Sequence, residues 1–181
     1  MKKQNQFPIY NNSLPPEQVS VCPAGESFPL PKDLDFDLEF VRLQQIVNEE
    51  HRKGREIVVV IGLGFVGAVM AGVIADSVDK KTGRPGKFVI GMQRPSTKSY
   101  WKIHYINRGQ PPVEAEDPEV YELIKRCVHD KKTLTASFTY DALSLADVVV
   151  VDVQCDYHKE ALGKVREGRA EISALEDSLI V

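Results

Sequence analysis

Gly62, Gly64 and Gly67 are the residues of this chain whose type and spacing point most directly to chemistry. They close the run Glu56-Ile57-Val58-Val59-Val60-Ile61-Gly62-Leu63-Gly64-Phe65-Val66-Gly67. An apolar stretch of strand length feeds the turn and an apolar helical pattern follows at once. That context separates a dinucleotide-binding turn from a chance G-x-G-x-x-G. Gly62 takes the sharp turn out of the strand. Gly64, lacking a Cβ, lets a pyrophosphate approach the backbone, and Gly67 lets the helix pack closely on the strand. The amides of the first helical turn lack intrahelical partners, and the positive end of the helix dipole lies behind them. Gly62, Leu63, Gly64, Phe65, Val66 and Gly67 are therefore expected to wrap a pyrophosphate. Val66, Val69, Met70, Val73 and Ile74 recur at helical spacing and are expected to face the sheet.

The elements that must hold this turn can be read on either side of it. Residues 1–34 are rich in Pro, Asn, Ser and Gln and are expected to be extended or disordered. Residues 35–54 read as a helix that packs Phe40, Leu43, Ile46 and Val47 on the core and ends at Gly54 after basic residues. From residue 55 to 181 strands and helices alternate, which predicts a parallel sheet covered on both faces. Lys87–Met92 is the second strand, Ser99–Ile106 a short helix, and Asp117-Pro118 the start of another, with Asp117 as N-cap. Leu134–Thr139 is the third strand, followed by a helical turn over Asp141–Ala146. Asp147–Val153 is the fourth strand, whose valine run predicts a central buried position. Right-handed crossovers give the order 3-2-1-4, an α/β, Rossmann-type, doubly wound sheet, with a ligand outside the carboxyl ends of strands 1 and 4.

Composition limits the partners. The 181 residues are 43% hydrophobic and 27% charged with a formal net charge of −3, so neither nucleic acid nor a membrane surface is expected as a partner. The apolar run from Ile57 to Ile61 is too short to span a bilayer, and the polar amino terminus lacks a signal-like core. Cys22, Cys127 and Cys155 form no C-x-x-C and read as free thiols, which points to the cytoplasm. Cys127 falls on the apolar stripe of its helix and reads as core. His51, His104, His129 and His158 make no metal-binding spacing, and no metal site is expected. His158 alone follows strand 4, near where a substrate would enter. Asp152, at the end of that apolar strand, either orients a loop or sits at a solvated end; the second reading is preferred.

Glu56 to Ser178 resembles the amino-terminal domain of the UDP-glucose/GDP-mannose dehydrogenase family. Ile57 to Gly67 is similar to the family's strand and G-x-G-[YF]-V-G turn, in which the aromatic residue and Val are more specific than the glycines. Ile106-Asn107-Arg108-Gly109-Gln110-Pro111-Pro112-Val113 with Glu116 resembles its N-x-G-x-x-P-I segment. Leu134 to Asp147, with Phe138-Thr139, Ala142-Leu143 and Ala146-Asp147-Val148, is similar to its L-x-F-T-x-D…A-L…A-D-V stretch. Gly168 to Leu175 resembles the D-L-S start of the next helix. The resemblance implies an oxidoreductase that takes the C6 alcohol of a nucleotide sugar to a carboxylate by hydride transfer to NAD or NADP.

Departures from the family shape those expectations. Its acidic residue at the end of strand 2 is absent, and Gln93-Arg94 follows Met92 instead. Gln93 retains hydrogen bonds to a ribose hydroxyl, and Arg94, with Ser96, Thr97 and Lys98, suits a 2′-phosphate; a solvated basic loop is the alternative. NADP is slightly favoured. The family's G-T-P after strand 4 is replaced by Gln154-Cys155-Asp156, which puts Gln154 and Cys155 beside the cofactor. No catalytic residue is assigned, because the family's catalytic Cys and Lys and its sugar domain have no counterpart here. The chain is expected to be a fragment of a longer enzyme, inactive alone. The alternative is a non-catalytic Rossmann module for regulation or assembly. A homodimer is a weaker expectation.

Overall fold

The computed structural model describes residues 18–158, 169–173 and 175–176. The expectation for residues 1–17 lies outside the described residues. At the centre is β3 (Glu56–Ile61), whose residues Ile57 to Ile61 are at most 3% exposed. It pairs in parallel with β4 (Lys87–Met92), Ile57 opposite Phe88 and Ile61 opposite Met92. β4 pairs in turn with β5 (Leu134–Ser137), and β3 pairs on its other side with β6 (Val148–Val151). The order β5-β4-β3-β6 is the expected 3-2-1-4, all parallel.

Alternation along β3 divides the core. Val58 and Val60 face α2 (Phe65–Asp76), α3 (Trp101–Asn107) and α4 (Glu119–Lys125), which runs on as a π-helical turn over Arg126–Asp130. Ile57, Val59 and Ile61 face α1 (Asp33–Arg52), where Leu43 and Val47 are buried, and the 3₁₀ turn Tyr140–Leu145. Gly54, at φ +76°, turns the chain out of α1. Asp117 Oδ1 accepts the N–H of Glu119 at 2.9 Å at the start of α4. Cys127 is buried, its thiol faces Gly72 O, and burial pushes its pKa up to about 11, in keeping with a core role.

The sequence expectations need correction at specific places. The face of α2 turned to the core carries Gly67, Ala68, Ala71, Gly72 and Ala75, while Val66 and Val73 are 54% and 57% exposed. Close approach to the sheet selects the small residues, and an all-apolar helix gives periodicity little to discriminate. The valine run is also misplaced: β6 lies at the edge of the four-stranded sheet, and no described strand pairs with its outer side. Val148 and Val149 are 40% and 45% exposed. Finally, residues 19–29 carry regular structure. β1 (Val19–Val21) and β2 (Ser27–Pro29) form an antiparallel hairpin.

That hairpin is held on α3 by side chains distant in sequence. Trp101 N–H donates to Ser20 Oγ at 3.2 Å, and the Tyr105 hydroxyl to Cys22 Sγ at 3.1 Å. Arg108 makes two bonds to Glu26 at 2.7 and 2.8 Å, and Phe28 stacks on His104 with centroids 4.4 Å apart. A second short hairpin pairs β7 (Asp156–His158) with β8 (Arg169–Glu171) beyond β6. Among the described residues no helix is long and apolar enough to cross a membrane.

Candidate functional site

The glycine turn sits at the carboxyl ends of β3, β4 and β6, and each glycine answers a different demand. Gly62 has φ +93°, and a Cβ there would lie 2.0 Å from Asp152 O, so only glycine fits. A Cβ on Gly67 would lie 1.9 Å from Gly62 O and 2.7 Å from Asp152 Oδ2, so the helix can approach the strand only without one. Gly64 is different. Its Cβ would meet nothing within 4 Å, it caps α2, and among the described residues no side chain accepts from the helix amides there. Phe65 and Val66, on the first turn, are 63% and 54% exposed. An uncapped helix N-terminus opening onto free space is what a pyrophosphate requires.

Leu63 fixes the turn on the β4 side. Its side chain is fully buried against Gly91, where a Cβ would lie 2.8 Å from Leu63 Cδ2. Its N–H donates to Gln93 Oε1 at 2.9 Å, and its carbonyl accepts from Lys102 Nζ at 3.3 Å. Gln93 therefore turns its acceptor to the turn, and its amide nitrogen, which also donates to Arg94 O at 3.5 Å, has a second N–H for a ribose. The Leu63 N–H, expected among the pyrophosphate contacts, is already taken. Arg94 is exposed, and among the described residues its guanidinium has no partner. Its carbonyl accepts from Ser99 Oγ at 2.9 Å, and Ser96 and Ser99 hydroxyls lie 2.7 Å apart, so the loop behind it is ordered by its own hydrogen bonds. Arg94 thus leaves its guanidinium exposed beyond the end of β4.

Lys102 is the site residue that sequence reasoning missed. It is the second residue of α3, and no local motif marks it. Burial lowers the pKa of its ammonium. Lys102 also lines a cavity of about 570 Å³ with Pro23, Ala24, Trp101, Tyr105 and Pro111 to Glu114, which no residue of the glycine turn lines. A second groove, about 530 Å³ between β2, α1 and Phe138, lies equally apart from the turn.

On the β6 side the structure places Gln154 and Cys155 at the surface beyond the strand, with Cys155 a free thiol. Asp152 is partly buried against Gly62 and Gly67 rather than at a solvated end, which corrects the preferred reading of the sequence. The side chain of His158 lies outside the described residues. Among the described residues no cluster of His, Cys, Asp and Glu could hold a metal ion.

No family model matches the chain, and no curated protein matches it. Solved structures do. The chain is similar to NDP-N-acetyl-D-galactosaminuronic acid dehydrogenase from Methanosarcina mazei Go1, at 29% identity and TM-score 0.56, over 76% of this chain and 26% of that one. It is also similar to a UDP-glucose dehydrogenase from the hyperthermophilic archaeon Pyrobaculum islandicum, at 19% identity and TM-score 0.49, over 68% of this chain and 24% of that one. The chain thus spans about a quarter of the length of either dehydrogenase. With its parallel sheet and glycine turn, the chain resembles the amino-terminal domain of the nucleotide-sugar dehydrogenases.

Proposed function

We propose that this chain binds NAD or NADP as the cofactor domain of a nucleotide-sugar 6-dehydrogenase. The observation that carries the reading is the glycine turn: Gly62 and Gly67 admit no Cβ, while Gly64 opens an uncapped helix N-terminus onto free space. Backbone amides of Gly64, Phe65 and Val66 hold the pyrophosphate, and an amide N–H of Gln93 meets the adenosine ribose. Arg94 pairs with a 2′-phosphate through a charge-assisted bond worth roughly 1.5–3 kcal/mol, about ten- to a hundred-fold in affinity. The neutral Gln93 removes the repulsion that a carboxylate would impose there. NADP(H) then binds at least as well as NAD(H). When bound, the nicotinamide supplies the hydride acceptor for oxidation of the sugar C6 alcohol to a carboxylate. Gln154 and Cys155 border that end of the site. Hydride transfer needs a sugar held against the nicotinamide, and the 181-residue chain alone is expected to be inactive.

Calorimetric titration of NADH and NADPH into the full chain tests the reading. Binding of both, NADPH at least as tightly, with the preference erased in Arg94→Ala, is the expected result. Clear NAD preference refutes the 2′-phosphate contact. Binding of neither refutes the cofactor role and leaves a Rossmann module with a structural or regulatory use. Steady reduction of either cofactor by the chain with UDP-glucose or GDP-mannose would contradict its inactivity.

A further inference from the structure

The glycine turn carries a carboxylate that pyrophosphate binding does not call for. Asp152 follows β6 directly, and its N–H donates to Ile61 O at 2.8 Å, so the sheet fixes its backbone against the turn. Its Oδ2 lies 2.7 Å from where a Cβ on Gly67 would be. The carboxylate therefore faces the first turn of α2. Among the described residues nothing donates to it or pairs with it, and Lys102, the cation that touches the turn, is bound to Leu63 O instead. A partly buried carboxylate in this position has the helix N-terminus as its source of compensating positive charge.

We propose that Asp152 sets the affinity of this site by pre-empting the positive field that an incoming pyrophosphate needs. The inference rests on the reading that the glycine turn holds a dinucleotide. The amides that would bind the phosphates belong to the same first turn of α2 that Asp152 faces, and one turn rises only about 5 Å. A like charge at that distance, in a partly buried site of intermediate dielectric, weakens binding on the order of ten-fold. The effect acts at the pyrophosphate, so it falls equally on NAD(H) and NADP(H). It differs in this from Arg94, which separates the two cofactors.

The test titrates NADH and NADPH into the full chain, Asp152→Asn and Asp152→Ser, with melting curves to show that each is folded. Asn keeps the shape of the side chain and Ser shortens it, so a packing effect of one is not shared by the other. Both variants are expected to bind both cofactors about ten-fold more tightly than the parent. The gain is expected to shrink between about 0.01 M and about 1 M salt, as the Debye length falls from about 30 Å to about 3 Å. Unchanged affinity in both variants, with the parent still binding, overturns the role of Asp152 and leaves the dinucleotide reading in place. Weaker binding overturns it too, because it makes Asp152 an acceptor for the ligand. No binding by parent or variants overturns both.

Discussion

The two sides of the glycine turn are built differently. On the β4 side Leu63 is secured by its side chain on Gly91, its N–H on Gln93 and its carbonyl on Lys102. β4 is itself flanked by β3 and β5, and both faces of its strand are buried. On the β6 side the turn meets one strand with exposed valines, a carboxylate without a described partner, and exposed Gln154 and Cys155. The half of the site that would take the adenosine end of a dinucleotide is preorganised by this chain. The half that would take the nicotinamide end is bordered by more exposed residues. Preorganised contacts contribute affinity because their ordering cost is met before the ligand arrives.

The largest expected effect tests the hinge between the two sides. Gly62→Ala forces a Cβ into Asp152 O at an unfavourable φ, and is expected to cost about 3 kcal/mol or more in denaturant unfolding and to abolish cofactor binding. A paired measurement then separates the sides. Gly91→Ala pushes on Leu63 Cδ2 and is expected to cost about 1–3 kcal/mol. Val149→Thr, on the exposed edge, is expected to stay within about 0.5 kcal/mol of the parent. Equal costs would erase the contrast. Gln93→Ala strands the Leu63 N–H and is expected to lose about 1–2 kcal/mol. Gln93→Glu keeps that acceptor, so its stability is retained, while its charge lowers NADPH affinity relative to NADH. Stability lost equally in both would show that the Gln93–Leu63 bond does not secure the turn.

Ligand truncation extends the same comparison. ADP-ribose, which lacks the nicotinamide, is expected to bind within about three-fold of NADH, roughly 0.6 kcal/mol. A loss above about thirty-fold would show that the β6 side contributes as much as the β4 side. The smallest effect appears in acid. Asp76, at the end of α2, is held at a pKa of about 2 by its hydrogen bonds to Arg126, with Lys131 adding to them. A carboxyl whose folded pKa lies below its ordinary 3.8 adds stability that is complete above that value and is lost as pH falls towards about 2. Arg126→Ala is expected to flatten the fall in unfolding free energy over that window; an unchanged slope would count against the α2–α4 tie.

Much of this arrangement was legible because it is local. The strand, turn and helix around Gly62 stand in one contiguous run, and Lys87–Met92 was read to the residue because a buried strand bounded by polar loops leaves little choice. Reading failed where the deciding contact was remote. Val148 to Val151 look like a central strand, but which strands flank them is a property of the sheet and not of the run. The hairpin at 19–29 was hidden by its proline-rich surroundings, since its pairing is stabilised by Trp101, His104 and Tyr105 on α3 and by Arg108 at its C-cap. Lys102 carries no signal of its own, and its role appears only when α3 is docked beside Leu63. On α2 Ile74 packs on the core as expected, but Val66 and Val73 do not, because Val and Ala are both apolar and the choice between them is made by Gly67 and the closeness it permits.

The most direct test of a dinucleotide on the glycine turn is a site-resolved one. Backbone amide resonances of the isotopically labelled full chain, followed as NADPH is added, report where the ligand lies. The expected result is large shifts at Gly64, Phe65 and Val66, with smaller ones at Gln93 and Arg94 and little change at Pro-flanked Ala24 and Val113. Shifts confined to Ala24, Trp101, Tyr105 and Val113, with the amides of 64–66 unmoved, would place the ligand in the cavity beneath the hairpin and contradict the account.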